Sequence, residues 1–401
     1  MRLIAFFQGI FIGTLALDAS SVGQVSGTKI VPMDDWIKIE PSDAGISERK
    51  VKHLFDLSFS DPATQATVLI KNGQLVGERY QEGFHVESYG TSWSMAKSFY
   101  AALIGISLDY GEIDSLDDFV SDYLPIFNDE RADITIRHLL NMTSGLDFPA
   151  HEHELMFLQE NHLEYAVNAR FEKSPGQVFE YNNVNSMLLS AILSNASGKP
   201  ADQLMQERIF SKIGIQNYTL WRDSSGNPLT YCCVDMSARD FSRFGLLFAR
   251  KGMWGSEKVV SSAFVDETFE EIWSNIESET INQKRGYGMH WWISRSNESS
   301  SIFNASGKFG QYIFVDPDND TVFTRITRYR PTGGAVQNLG TLRFFSWIND
   351  LTFLRKFGEK LTSLGLIDLG GDLATPHTFE NGISKQFFKD YPAIVDAFAD
   401  L

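Results

Sequence analysis

Strand-forming runs lie towards both ends of this chain with a long helix-rich stretch between them, and that arrangement restricts the fold more than any other feature. Ala66 to Lys71 and Leu75 to Tyr80 flank Asn72-Gly73, a pair suited to the tight turn of a β-hairpin, whose central residues need positive φ. Far downstream, Met289 to Ser294, Ser301 to Ala305, Gln311 to Asp316 and Thr321 to Ile326 carry strand signals. The turn-rich Asp316-Pro317-Asp318-Asn319-Asp320 joins the last two. Strands so separated share a core most simply as one antiparallel sheet completed by both parts of the chain, flanked by helices, with a helical lobe inserted between. The expected class is an α/β (α+β) sandwich.

Ser47 to Leu57 reads as a first helix. From Met95 to Leu108 the apolar residues Met95, Phe99, Leu103 and Ile106 recur at helical spacing and Gly111 follows, so Ser94 falls at a helix N-terminus. Residues from about 111 to 285 read as the lobe. There Thr135 precedes a short helix through Leu140, and Ser237-Ala238-Arg239-Asp240 forms a capping box before Phe241, Phe244 and Phe248. A helix from Leu342 to Leu351 would close the sandwich, and 352–401 read as an appended C-terminal helical extension. With 401 residues, 43% hydrophobic and 21% charged, the chain can bury a large core, which excludes a disordered or collagen-like polymer.

The charge balance of 35 basic against 51 acidic residues, a net of −16, argues against a nucleic-acid partner, as does the lack of a basic run with interleaved aromatics. A small neutral or cationic substrate suits such a surface better. The two cysteines, Cys232 and Cys233, are neighbours; they cannot staple distant segments or supply zinc spacing, and they read as packing residues. At the N-terminus Arg2 precedes an apolar run from Leu3 to Leu17 and then Ala19, Ser20 and Ser21. That pattern predicts a signal peptide over residues 1–21 and a periplasmic or secreted protein, the alternative being an uncleaved anchor.

Three short elements could carry chemistry. Ser94-Met95-Ala96-Lys97 puts a hydroxyl and an amine one helical turn apart, where a neutral lysine can take the serine proton. A pattern fixing only Ser and Lys turns up by chance about once or twice in a chain of this length, and Ser47-Glu48-Arg49-Lys50 is a second copy. Its charged interior reads as a solvated helix start, whereas Trp93, Met95, Ala96 and Phe99 put the first copy at the edge of a core. Next, Phe179-Glu180-Tyr181-Asn182-Asn183 precedes an apolar helix from Met187 to Leu193. Tyr181 could relay a proton and Asn183 could hold Lys97 and a substrate carbonyl; the plain alternative is a half-buried tyrosine and a turn asparagine. Third, Ala305-Ser306-Gly307-Lys308-Phe309-Gly310-Gln311 places small residues at a strand edge, where a substrate backbone could approach an exposed N–H; the plain alternative is a bulged hairpin.

Taken in order, these elements resemble the serine hydrolases of the β-lactamase and penicillin-binding superfamily. The resemblance is to the branch with class C β-lactamases, family VIII esterases, D-amino-acid peptidases and 6-aminohexanoate-dimer hydrolases. Leu139-Leu140-Asn141-Met142-Thr143-Ser144-Gly145-Leu146, Ser237 to Leu247 and Tyr287-Gly288-Met289-His290-Trp291-Trp292 look like segments of the same family. The likeness covers about residues 45–350. It implies a β-lactamase/transpeptidase-like fold with Ser94 as acylated nucleophile, Lys97 as base and Tyr181 as proton shuttle. It also implies substrate contacts from Asn183, Ala305, Ser306, Gly307 and Lys308, the backbone N–H groups of Ser94 and Lys308 forming an oxyanion hole. No metal or cofactor is implied. The family's Lys-Thr-Gly is replaced by Ala305-Ser306-Gly307, with Lys308-Phe309-Gly310 as another register, so the cationic clamp for a β-lactam carboxylate is missing.

The expected function is hydrolysis of a small ester or amide through a serine acyl-enzyme, of esterase or 6-aminohexanoate-dimer-hydrolase type. Alternatives are a penicillin-binding sensor acylated without turnover, or a D-alanyl peptidase or β-lactamase. His151-Glu152-His153-Glu154 reads as a polar loop rather than a metal site, and Trp291-Trp292 as strand packing.

Overall fold

The computed structural model describes residues 29–148, 156–278, 281–297, 301–327 and 385–401. The expected signal segment 1–21, the expected helix 342–351 and His151-Glu152-His153-Glu154 lie outside them, as does most of the 352–401 extension.

Strands β1 (Thr64–Lys71) and β2 (Gln74–Tyr80) form the N-terminal hairpin, turned by Asn72 at φ 53° and Gly73 at φ 76° as their sequence requires. β3 (Tyr89–Thr91), β4 (Tyr218–Leu220) and β5 (Val234–Ser237) make a small sheet, and β6 (Met253–Trp254) and β7 (Glu257–Lys258) a short hairpin. β8 (Trp273–Ile276), β9 (Arg285–Gly288), β10 (Trp291–Arg295), β11 (Ser301–Gly307), β12 (Gln311–Asp316) and β13 (Thr321–Thr327) complete the main sheet, ordered β2-β1-β13-β12-β11-β10-β9-β8. All its pairings are antiparallel, and the two ends of the fold meet where β1 pairs with β13, Val68 opposite Thr324 and Ile70 opposite Val322.

Helices α1 (Glu48–Phe59), α2 (Ala96–Asp109), α3 (Asn183–Ser197), α4 (Ala238–Ala249) and α5 (Lys385–Ala399) supply the main layers. Alternation along the strands sends Leu69, Tyr312, Phe314 and Phe323 to one face, where α1 brings Leu54 and Phe55, and α5 brings Phe387, Tyr391, Ile394 and Phe398. The other face sends Val68, Ile70, Ile313, Val315 and Val322 against α4 and, beyond it, α2 and α3. Gly245 of α4 lets that helix lie on the strands: a Cβ there would come within 2.5 Å of Val322. α4, which falls inside the stretch expected to be lobe, thus packs on the sheet. The last residues of the chain likewise form one layer of the sandwich.

Other expectations change as well. The middle of the chain carries strands as well as helices, because β3, β4 and β5 pair into their own sheet and β8 and β9 extend the main one. The strand expected at Met289 begins at Trp291, because Met289 and His290 are the two-residue turn between β9 and β10, at φ 41° and 66°. Ordinary residues hold this turn because its polar groups are met from outside: the Met289 N–H donates to Asn141 Oδ1 (2.8 Å), the His290 N–H to the Leu140 carbonyl (3.0 Å), and the Ser98 hydroxyl to the His290 carbonyl (2.7 Å). The buried Cys232 and Cys233 are bonded to each other through sulfur, in addition to packing.

Candidate active site

Ser94 lies where the chain leaves β3 and turns into α2. Ser92 anchors the turn: its N–H donates to the Val234 carbonyl (2.8 Å), and its hydroxyl accepts from the Val234 N–H (2.7 Å). Trp93 then takes φ 48°, an uncommon and costly conformation for a bulky residue, and this bend leaves Ser94 half-exposed at the head of the helix. Strain of this kind persists only where its surroundings fix it, here the β3–β5 pairing and the rings of Phe157 and Phe309 against Trp93.

Lys97, one turn on, is 1% exposed. Its Nζ lies 3.0 Å from Ser94 Oγ, 2.9 Å from Asn183 Oδ1 and 2.9 Å from the Tyr231 carbonyl oxygen. No carboxylate among the described residues pairs with it, so burial alone governs its titration and holds the amine well below the usual lysine range. A neutral amine has two N–H donors and one lone pair. The amide and peptide oxygens can only accept, so they take the two donors, and the lone pair is left facing the Ser94 hydroxyl. The bonding pattern therefore fits a lysine ready to receive a proton.

Tyr181 completes the group. Its ring lies 5.1 Å from Lys97 Nζ, and burial pushes its phenol up to about 12, against the pull of a hydrogen bond with Ser94. Tyr181 and Asn183 converge because the Glu180 N–H is tied to the Met142 carbonyl (2.8 Å) and Asn182 caps α3 through Asn185 N (2.9 Å). The helix starts at Asn183, four residues before the expected Met187, and this puts the Asn183 side chain on the first turn, beside Lys97.

The third element lies against the turn that carries Ser94. β11 runs through Gly307, and Lys308 to Gly310 make the turn into β12. A Cβ at Gly307 would stand 2.2 Å from the Ser92 carbonyl oxygen, so the strand and the turn that carries Ser94 meet with no room for a side chain. Ala305 is wholly buried and can offer only its backbone; Ser306 and Lys308 are half-buried, and the Ser306 hydroxyl donates to Asn304 Oδ1 (3.0 Å). Of the eight expected site residues, Ser94, Lys97, Tyr181 and Asn183 are in mutual contact, and the segment with Ala305, Ser306, Gly307 and Lys308 abuts their turn through Gly307. By contrast Ser47 caps α1, its Oγ accepting from Lys50 N (3.4 Å), far from any such constellation.

Other contributors escaped the sequence reading. Tyr231 acts through its carbonyl, a group every residue has, while its phenol is held by His162 Nδ1 (2.9 Å). Trp292 packs beside Tyr181, its ring 5.7 Å from that of Tyr181 and 4.8 Å from that of Tyr287, with the Arg285 guanidinium 3.9 Å over it. Trp291, its neighbour, points into the core between Phe248 and Phe269 as alternation demands. His290 is buried between Ser186 Oγ (3.0 Å) and the Tyr287 hydroxyl (3.2 Å), and burial drives its pKa down to about 3, which keeps it neutral. Among the described residues no group of histidine, cysteine and carboxylate side chains could hold a metal ion, and no helix is long and apolar enough to cross a membrane.

Comparison with known proteins bears on the family and the fold. The family model described as Beta-lactamase matches residues 64–344. The 6-aminohexanoate-dimer hydrolase of Paenarthrobacter ureafaciens is 21% identical over 292 residues, 67% of this chain and 74% of that protein. Among solved structures, a putative 6-aminohexanoate-dimer hydrolase from Bacillus anthracis superposes with a TM-score of 0.61 at 22% identity, covering 81% of this chain and 90% of its own. A family VIII carboxylesterase gives 0.57 at 17% identity, covering 70% and 90%.

Proposed function

The chain belongs to the Beta-lactamase family of serine hydrolases, and from that premise we propose that it cleaves a small ester or amide with Ser94 as nucleophile, Lys97 as general base and Tyr181 as proton shuttle. The observation that carries this reading is the buried Lys97 amine, whose two carbonyl acceptors leave its lone pair to Ser94. Ser94 Oγ attacks the substrate carbonyl carbon as its proton passes to Lys97 Nζ. The resulting oxyanion is met by the backbone N–H groups of Ser94 and Lys308, a pairing supported by the close approach of the neighbouring Gly307 and Ser92. Collapse breaks the bond to the leaving group, which takes the proton from Lys97 through Tyr181. A water molecule then attacks the acyl-enzyme with the same groups in reverse, and releases the acid.

Ester substrates, or linear amides of the kind named for the Paenarthrobacter relative, fit better than β-lactams, because Ala305 stands where a cationic clamp would be needed. The test is hydrolysis of p-nitrophenyl butyrate by the wild type, Ser94→Ala and Ser47→Ala. Many turnovers that vanish in Ser94→Ala and persist in Ser47→Ala support the reading, and equal rates in the wild type and Ser94→Ala overturn it. A single stoichiometric burst that needs Ser94 favours a sensor acylated without turnover.

A further inference from the structure

The turn that carries Lys308 is held from behind as well as from the nucleophile side. Arg325 of β13 is wholly buried, and its Nη1 donates to the Gly310 carbonyl (2.5 Å), the last residue of that turn. The same guanidinium donates to Thr64 Oγ1 from Nε (3.1 Å) and Nη2 (2.8 Å), and pairs with Asp61, also wholly buried, at 3.3 Å. Its open face is covered by the Phe387 ring of α5, 3.8 Å from Cζ to the ring centre. Gly310 sits at φ 83°, and a Cβ there would meet Arg325 Nη1 at 2.3 Å, so only glycine allows the contact.

Such an arrangement is costly unless it is used. A fully desolvated arginine gives up several kcal/mol of hydration, and among the described residues one carboxylate, one hydroxyl, one ring and one peptide oxygen are what it receives. Charge-assisted bonds are about twice as strong as neutral ones, so the bond to Gly310 is a stiff polar tie between the sheet and a three-residue turn that would otherwise pivot on its two strand ends. Burial lowers the guanidinium pKa to about 10, and it stays charged at neutral pH. Across the turn, Phe309 packs edge-on to Trp93 (5.4 Å) and Gly307 abuts Ser92. The turn is therefore clamped between the nucleophile loop on one side and Arg325 on the other.

We infer that Arg325 is a positioning residue for the oxyanion-binding turn, and that the C-terminal helix α5 takes part in the active site's geometry by seating Phe387 on that guanidinium. This rests on the reading of Lys308 N–H as an oxyanion donor. Because the oxyanion exists only in the tetrahedral state, loosening the turn affects kcat and leaves substrate binding largely alone.

The experiment uses the full chain as wild type, Arg325→Met, Arg325→Lys and Phe387→Ala. It reads kcat and KM on p-nitrophenyl butyrate, the rate of inactivation by a p-nitrophenyl alkylphosphonate that mimics the tetrahedral state, and cooperative melting as a check of folding. Arg325→Met should lower kcat about 30- to 300-fold with KM within threefold, and slow phosphonylation in parallel. Arg325→Lys, which keeps a charge near Gly310, should recover at least fivefold of that loss, and Phe387→Ala should lower kcat about three- to tenfold. A folded Arg325→Met with kcat within threefold of wild type, or with kcat lowered but phosphonylation unchanged, overturns the inference. Should Arg325→Met not fold, Arg325→Lys and Phe387→Ala decide it: both within twofold of wild type in kcat and phosphonylation is the overturning result. Activity surviving in Ser94→Ala in the same assay would instead sink the nucleophile assignment, a distinct failure.

Discussion

Gly307→Ala puts the closeness of strand β11 and the Ser94 turn to a quantitative test. The new Cβ would lie 2.2 Å from the Ser92 carbonyl oxygen and 3.0 Å from the Gln311 Cβ. An unforced carbon–oxygen contact needs about 3.3 Å, so strand and turn must separate by roughly 1 Å. The Ser92 carbonyl cannot yield alone, since the adjoining N–H and hydroxyl of Ser92 are both bonded to Val234. The displacement therefore falls on the path from Gly307 to Lys308, and a misplacement of about 1 Å at a reacting centre costs on the order of 100-fold in rate. Overpacking a tight site costs about 1–3 kcal/mol of stability, a few degrees of melting temperature. Steady-state hydrolysis of p-nitrophenyl butyrate should show kcat down about 100-fold and KM within about threefold. A well-folded variant with kcat within threefold of wild type would refute the argument that this contact sets the oxyanion geometry.

Removing Asn183 as an acceptor, in Asn183→Ala, leaves the Lys97 amine free to rotate away from Ser94 and should lower kcat about 10- to 100-fold, measured against unchanged circular dichroism. Lys97 titrates well below the usual lysine range, so kcat/KM should be lost as pH falls through that depressed pKa and be flat in the mildly alkaline range; a rate still climbing tenfold per pH unit up to pH 10 contradicts a neutral amine. Burial raises Asp235 to about 6, with the Thr91 hydroxyl and Trp221 indole as its partners. Between the unfolded value of 3.8 and about 6 the folded state holds more protons, so stability drains away as pH rises through that window. Asp235→Asn should remove the slope and gain about 3 kcal/mol at pH 8, read from melts at pH 4.5 and 8. Asp61→Ala leaves Arg325 buried without its carboxylate and should destabilise the fold by about 3–5 kcal/mol by denaturant titration.

What could be read from the sequence divides along physical lines. The Asn72-Gly73 turn was legible because local chemistry alone selects positive φ there. Ser94 and Lys97 were legible as a pair because a helix turns three positions into one face, and the burial that separates them from Ser47 and Lys50 was foreshadowed by Met95 and Ala96. The Met289-His290 turn was not, since its positive φ values are imposed by Asn141, Leu140 and Ser98, more than a hundred residues away. The same holds for Tyr231, whose contribution is a carbonyl without a side-chain signature. The C-terminal helix could be expected as a helix, but nothing local to Phe387 says that it covers Arg325. Pairwise packing between distant segments carries these features, and a single sequence records it only after the chain has folded.

Active-site labelling with a fluorophosphonate, followed by intact mass and peptide mapping, addresses the central claim most directly. The account predicts one adduct per chain, located on Ser94, absent in Ser94→Ala and formed at least 100-fold more slowly in Lys97→Met. An adduct on another residue, or one that persists in Ser94→Ala, would contradict it.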